Sequence, residues 1–350
     1  MEKRFTGTVV RATGSWYDVL HDGAVVRCRI RGRLRLRGVR STNPVVVGDE
    51  VTCEADAGGD YVICDISPRR NYVIRRASNL SKESHIIAAN IDQALLVVSL
   101  VRPATNSEFI DRFLVTAGAY HIPAAILLNK SDLYTTGELQ QERARFIETY
   151  TRAGYDVVEL SASRGEVLRI NPARARRQET RTEATSGLGG DADSGSGAGT
   201  SVMSGMGTEP LLERLRDRVT LLSGNSGVGK STLIRAIDPS LEVRVGEVSD
   251  AHHKGRHTTT FSEMYPLAEG GWLIDTPGIK GFGLIDLDGA EIARYFPELF
   301  RLAPGCSYYN CTHTHEPGCA VKEALSRGEV SLSRYESYLK LLDDVEKYRR

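Results

Sequence analysis

The stretch "VTLLSGNSGVGKSTLIRAI" (residues 219–237) constrains the fold more than any other part of the chain. An apolar run leads into a turn of the pattern G-x-x-x-x-G-K-S, and apolar residues at helical spacing follow it. Such a turn belongs between a buried strand and the start of a helix. Glycine at Gly224 and Gly229 lets the backbone curl, so that the amides of Asn225, Ser226, Gly227, Val228, Gly229 and onward to Thr232 face phosphate oxygens. Lys230 supplies a point charge to the β and γ oxygens, and the Ser231 hydroxyl is placed to ligate Mg²⁺. The chain is therefore expected to contain a parallel α/β sheet with a phosphate site at its strand ends.

Three further strings supply the rest of a guanine pocket. "NKSD" (Asn129, Lys130, Ser131, Asp132) follows the apolar run "AAILL", and the Asp132 carboxylate suits the paired N–H donors on one edge of guanine. Adenine has no such pair, so the motif selects GTP. "ELSAS" ends another apolar run, where Ser161 and Ala162 can present backbone N–H groups to the guanine carbonyl. "DTPG" begins at Asp275, whose carboxylate can hold the magnesium ion through water while the Gly278 amide senses the γ-phosphate. In the usual order the phosphate loop comes first; here the base-reading motif precedes it by about a hundred residues. A circular permutation explains this, because the chain ends of a domain often lie close enough to be joined while another loop is opened.

Around this sheet the chain changes character twice. From Thr6 to about Ser67, short alternating runs broken by turn residues suggest a small antiparallel barrel or sandwich. From about Ala88 to Pro277, apolar runs alternate with helical stretches such as "SEFIDRFLVTAGAY" and "GELQQERARFIETYTRAG". After about Ile285 the pattern turns helical and ends in "SRYESYLKLLDDVEKYRR". Residues from about 171 to 207 are rich in Gly, Ser and Ala with few large apolar groups, which suggests an exposed flexible insertion.

At 350 residues, 41% hydrophobic and 26% charged, the chain has the composition of an ordinary globular protein. Its first residues lack the apolar stretch of a signal peptide, and no run of about 18 apolar residues could cross a bilayer. The expected location is the cytosol, where thiols stay reduced and a cysteine cluster binds metal. "CSYYNCTHTHEPGC" supplies Cys306, Cys311 and Cys319 with either His313 or His315, a closed Cys₃His set suited to one structural Zn²⁺.

The formal net charge is zero, so nucleic-acid affinity has to come from a local patch. "RCRIRGRLRLRGVR" offers one, with Arg27, Arg29, Arg31, Arg33, Arg35 and Arg37 at alternate positions. Wherever this segment is a strand, its arginines share one face and can meet phosphates and stack on bases.

Taken together the chain resembles the circularly permuted GTPases of the ribosome small-subunit-dependent GTPase A (RsgA/YjeQ) family, on the permuted order, the string "GRHTTT" (255–260) and the cysteine cluster. The resemblance covers nearly the whole chain. It implies an N-terminal OB-fold β-barrel that binds RNA (1–70), a central α/β P-loop GTPase domain in permuted order (71–284) and a mainly helical zinc-binding domain (285–350). It also implies action as a monomer in late maturation of the small ribosomal subunit, with rRNA as partner. By resemblance His313 is the fourth metal ligand, and Thr259, with Thr258 and Thr260 beside it, completes the Mg²⁺ shell from the first switch. Ile279 follows Gly278 and cannot position water, so His257 takes that role by resemblance. The long insertion departs from the family's short connector.

Overall fold

The computed structural model describes residues 4–13, 15–30, 44–56, 58–76, 84–173, 207–241, 263–275 and 289–349. Five strands form a closed N-terminal barrel: β1 (Arg4–Ala12), β2 (Tyr17–His21), β3 (Ala24–Ile30), β4 (Glu50–Ala55) and β5 (Tyr61–Ile66), in the order β1-β2-β3-β5-β4. The expected antiparallel pattern holds for every pair but one, since β3 and β5 run parallel. Strand β4 pairs with β1 and β5 rather than with β3, an order that alternation within strands cannot reveal. Inward positions such as Val9, Val19, Cys28, Val51 and Ile63 fill its core, with Cys28 and Cys53 acting as small buried hydrophobes.

A two-stranded hairpin, β6 (Tyr72–Arg76) and β7 (Ser84–Ala89), lies between barrel and main sheet and was not expected from the sequence pattern. Polar bonds tie the barrel to this connection: Arg69 grips the buried Asp49 at 2.6 and 2.7 Å, and the Asn90 amide donates to the Gly48 carbonyl at 2.8 Å.

The main sheet has seven strands in the order β11-β10-β9-β8-β12-β14-β13. These are β8 (Gln93–Val98), β9 (Ala124–Leu128), β10 (Asp156–Ser161), β11 (Glu166–Asn171), β12 (Val219–Ser223), β13 (Met264–Pro266) and β14 (Trp272–Asp275). The five inner strands run parallel, and the two edge strands antiparallel to their neighbours. Both faces are covered, which is why β8 after Gln93 reads as an unbroken apolar run. Ala94, Leu96 and Val98 point to one core with Ile110, Phe113 and Leu114 of α1 (Ser107–Ala119) and Tyr150 of α2 (Gly137–Ala153). Leu95 and Val97 point to the other core, with Leu211 and Leu215 of α3 (Glu209–Leu215) and Leu233 and Ile234 of α4 (Lys230–Ile237).

Asn171, placed at the start of the expected insertion, is the buried last residue of β11, and Ala173 is also buried. Residues 174–206 lie outside the described residues. Beyond the sheet come α5 (Gly289–Ile292), α6 (Pro297–Leu302), α7 (Ala320–Ser326) and α8 (Leu332–Arg349), which enclose a third core of Phe296, Leu299, Val321, Tyr338 and Leu341. Among the described residues, no helix is long and apolar enough to cross a membrane.

Candidate guanine pocket and metal cluster

The chain leaves β8 in one direction toward β9 and β10, and later adds β12 and β14 on the other side of β8. Between β8 and β12 lies the switch point where open α/β sheets bind ligands. The four motifs converge there: "NKSD" leaves β9, "SAS" ends β10, the glycine-rich turn leaves β12, and Asp275 is the last residue of β14.

Asn129 joins three of these ends. Its Nδ2 donates to the Val228 carbonyl in the glycine-rich turn at 2.8 Å, and its Oδ1 accepts the Ala162 N–H at 2.9 Å. Gly229 has φ +97°, and a Cβ there would collide with Asn129 Nδ2, so glycine is needed for both backbone and space. Lys130 donates from Nζ to the Gly227 carbonyl at 2.8 Å and also to the Arg102 carbonyl. Lys230 Nζ reaches back to the Gly224 carbonyl at 3.0 Å, and the exposed Ser231 follows in the first turn of α4.

On the base side, Ser161 Oγ donates to Asp132 Oδ1 at 2.7 Å and so helps aim that carboxylate. This adds a side-chain role to the backbone role expected of Ser161. The Ala162 amide, expected to face a guanine carbonyl, is engaged by Asn129, so a base would have to share that donor. The backbone of Asp275 is placed, whereas Gly278, His257, Thr259 and its neighbours lie outside the described residues.

The second constellation lies in the helical C-terminal part. Ligand atoms of Cys306, Cys311, His313 and Cys319 all lie within 4.8 Å of one another, and His313 Nδ1 is 3.6 Å from Cys306 Sγ and 3.5 Å from Cys319 Sγ. A tetrahedral ion with arms of about 2.3 Å to sulfur and 2.0 Å to nitrogen has donor–donor edges of roughly 3.5–3.8 Å, which the two histidine–sulfur distances match. His315 is exposed and turned to Thr314 Oγ1 at 2.9 Å, so the open choice of histidine falls to His313. The loop is shaped from outside by Tyr335 Oη on the His313 carbonyl (2.6 Å), Tyr338 Oη on the Thr312 carbonyl (2.5 Å), and Glu316 accepting from the Thr312 amide (2.7 Å) and hydroxyl (2.6 Å). Burial pushes the Cys311 thiol up to about 12, so a thiolate here needs a cation beside it.

The family pattern described as RsgA GTPase matches residues 66–190 and 196–285, and the one described as RsgA N-terminal domain matches residues 6–63. The chain belongs to the RsgA GTPase family. The small ribosomal subunit biogenesis GTPase RsgA of Bacteroides fragilis is 47% identical over 346 residues, covering 98% of each chain. Its counterpart in Porphyromonas gingivalis is 47% identical over 353 residues with the same coverage. The crystal structure of YjeQ from Thermotoga maritima superposes with TM-score 0.70 at 30% identity, over 97% of this chain and 98% of that one. YloQ, described as a circularly permuted GTPase, superposes with TM-score 0.65 at 25% identity, over 99% of this chain and 96% of that one.

Within this RsgA-family fold, the barrel carries Arg27 and Arg29 on the outer face of β3 while Cys28 points inward, as alternation requires. Arg31, Arg33, Arg35 and Arg37 lie outside the described residues. Trp16, which no motif singles out, stands beside both arginines, with its ring centre 4.0 Å from the Arg29 guanidinium and 4.9 Å from that of Arg27.

A second site-related group also went unforeseen. Arg334 of α8 is 1% exposed and bonds Asp111 of α1 at 2.7 Å and Glu298 of α6 at 2.7 and 3.0 Å, stacking on Phe296 at 4.6 Å. Burial works against its charge, but the carboxylates of Glu298 and Asp111 outweigh it and hold Arg334 well above its ordinary value. In sequence it is one more polar residue of an amphipathic helix. Only the docking of α8 on α1 turns it inward.

Proposed function

We propose that this chain is a GTPase that binds the small ribosomal subunit, hydrolyses GTP to GDP and phosphate in a subunit-stimulated way, and assists late maturation of the subunit. The observation that carries the proposal is the Asn129 bridge. It makes the base-reading turn and the phosphate loop one pocket despite their reversed order, in a chain 47% identical to a small ribosomal subunit biogenesis GTPase.

Asp132 takes the guanine edge, while Asn129 and Lys130 brace the phosphate loop against the base side. Lys230 moves from the Gly224 carbonyl to the phosphates when nucleotide enters. Mg²⁺ bound with GTP would neutralise charge on the β- and γ-phosphates. Ser231, Asp275 and Thr259 are the residues to hold it, and the Gly278 amide faces the γ-phosphate. His257 orients the attacking water. Zn²⁺ suits the Cys306, Cys311, His313 and Cys319 set in a structural role. Arg27 and Arg29, with the arginines after them, meet rRNA phosphates, and the protein works in the cytoplasm as a monomer. The division into residues 1–70, 71–284 and 285–350 follows these roles.

GTP turnover measured with and without purified small subunits tests the proposal. Stimulation by small but not large subunits is expected. Equal stimulation by large subunits moves the target, and absence of turnover under every condition leaves an RNA-binding adaptor with a vestigial pocket.

A further inference from the structure

The nucleotide motifs do not account for the Tyr134 hydroxyl, which sits where two strand ends meet. Tyr134 follows the 3-10 turn Ser131–Leu133 and is 2% exposed, with its ring in the core beneath the turn. Its Oη donates to the Asn129 backbone carbonyl at 2.5 Å and accepts the Leu100 N–H at 3.1 Å. Leu100 belongs to the loop after β8, and Asn129 is the first residue after β9. Burial pushes this phenol above its ordinary range, which keeps the proton it donates.

The turn held in this way is the one that reads the base. Asn129 carries the bridges to Val228 and Ala162, and Asp132 lies three residues on, bonded by Ser161. Lys130, between them, has φ +62°, a left-handed conformation that a lysine keeps only when its surroundings impose it. The hydroxyl is one of the bonds that impose it. A phenylalanine would fill the same space but leave the Asn129 carbonyl and the Leu100 amide without the partner shown, and the turn would shift to find others.

We propose that Tyr134 is a positioning residue for base selection: it fixes the Asn129–Asp132 turn to the end of β8, so discrimination among purine nucleotides depends on a hydroxyl that touches no nucleotide. The proposal rests on the guanine-pocket reading above.

The test compares wild type, Tyr134→Phe and Phe113→Leu, each as the full chain, by titration with GDP and with IDP. IDP lacks the exocyclic amine that Asp132 accepts. Phe113 lies in the same apolar core and serves as a control for general loosening. The expected result is a GDP-over-IDP preference narrowed about fivefold or more in Tyr134→Phe and unchanged in Phe113→Leu, as for a buried hydrogen bond that aims a recognition group. An unchanged preference in Tyr134→Phe overturns the proposal, and so does equal narrowing in both variants. If wild type itself fails to prefer GDP, the guanine reading falls and takes this role with it. Should Tyr134→Phe not fold, hydrogen exchange on wild type decides. Slower exchange of the Leu100 amide with GDP than with pyrophosphate supports the role, and equal protection by both overturns it.

Discussion

The guanine pocket and the metal cluster are held together in opposite ways. In the pocket, Asn129 bonds a carbonyl 99 residues further along the chain, and Lys130 bonds one 97 residues away. In the cluster, all four donors fall between Cys306 and Cys319, and the chain wraps them locally. A pocket made from strand ends needs only that those ends stay adjacent, and the entropy of closing a loop grows slowly with its length. It can therefore be cut open at one loop, joined at another and interrupted by a long insertion. A wrapped cluster has no such freedom, because its spacing is its geometry.

Removing the metal should break this comparison most visibly. Structural Zn²⁺ contributes on the order of 10–16 kcal/mol in small metal-dependent peptides. Chelation should melt the region from α5 to α8 while GDP affinity stays within about threefold, since among the described residues no pocket contact passes through the cluster. Circular dichroism with parallel GDP titration measures both, and loss of GDP binding together with the helices would show the two regions to be coupled.

A smaller effect is expected at the junction. Arg334→Ala strands Asp111 and Glu298 in the interior, at a cost of about 3–5 kcal/mol. Burial already raises the Asp111 pKa against the pull of Arg334, and without Arg334 it would rise further, so the folded variant gives up this proton at higher pH than the unfolded chain does. The variant's stability should therefore fall as pH rises above the carboxylate range and recover as pH is lowered. Denaturant titration across that range checks the sign. A pH-independent loss would mean that Asp111 finds another partner.

Much of this was legible before the fold was known. "GNSGVGKST" and "NKSD" announce their chemistry because phosphates and guanine demand particular backbone and side-chain groups, and the cluster announces itself through spacing. The apolar run of β8 after Gln93 and the all-apolar β9 marked a sheet covered on both faces. The parallel β3/β5 pair and the β6/β7 hairpin were not legible, since pairing partners leave little trace in a strand's own alternation. Tyr134, Trp16 and Arg334 were hidden for a related reason. Their roles arise from which element packs against them, and a tyrosine two residues past Asp132 looks like any core aromatic.

The central claim is that a base-reading turn written early and a phosphate loop written late form one guanine site. Asp132→Asn tests it most directly, because xanthine carries a carbonyl where guanine carries the exocyclic amine, and an amide can donate to it where a carboxylate repels it. Turnover of GTP and XTP by this variant and by wild type should invert, with the variant losing GTP and gaining XTP by about a hundredfold or more in relative kcat/KM. Unaltered preference for GTP in Asp132→Asn would contradict a single pocket.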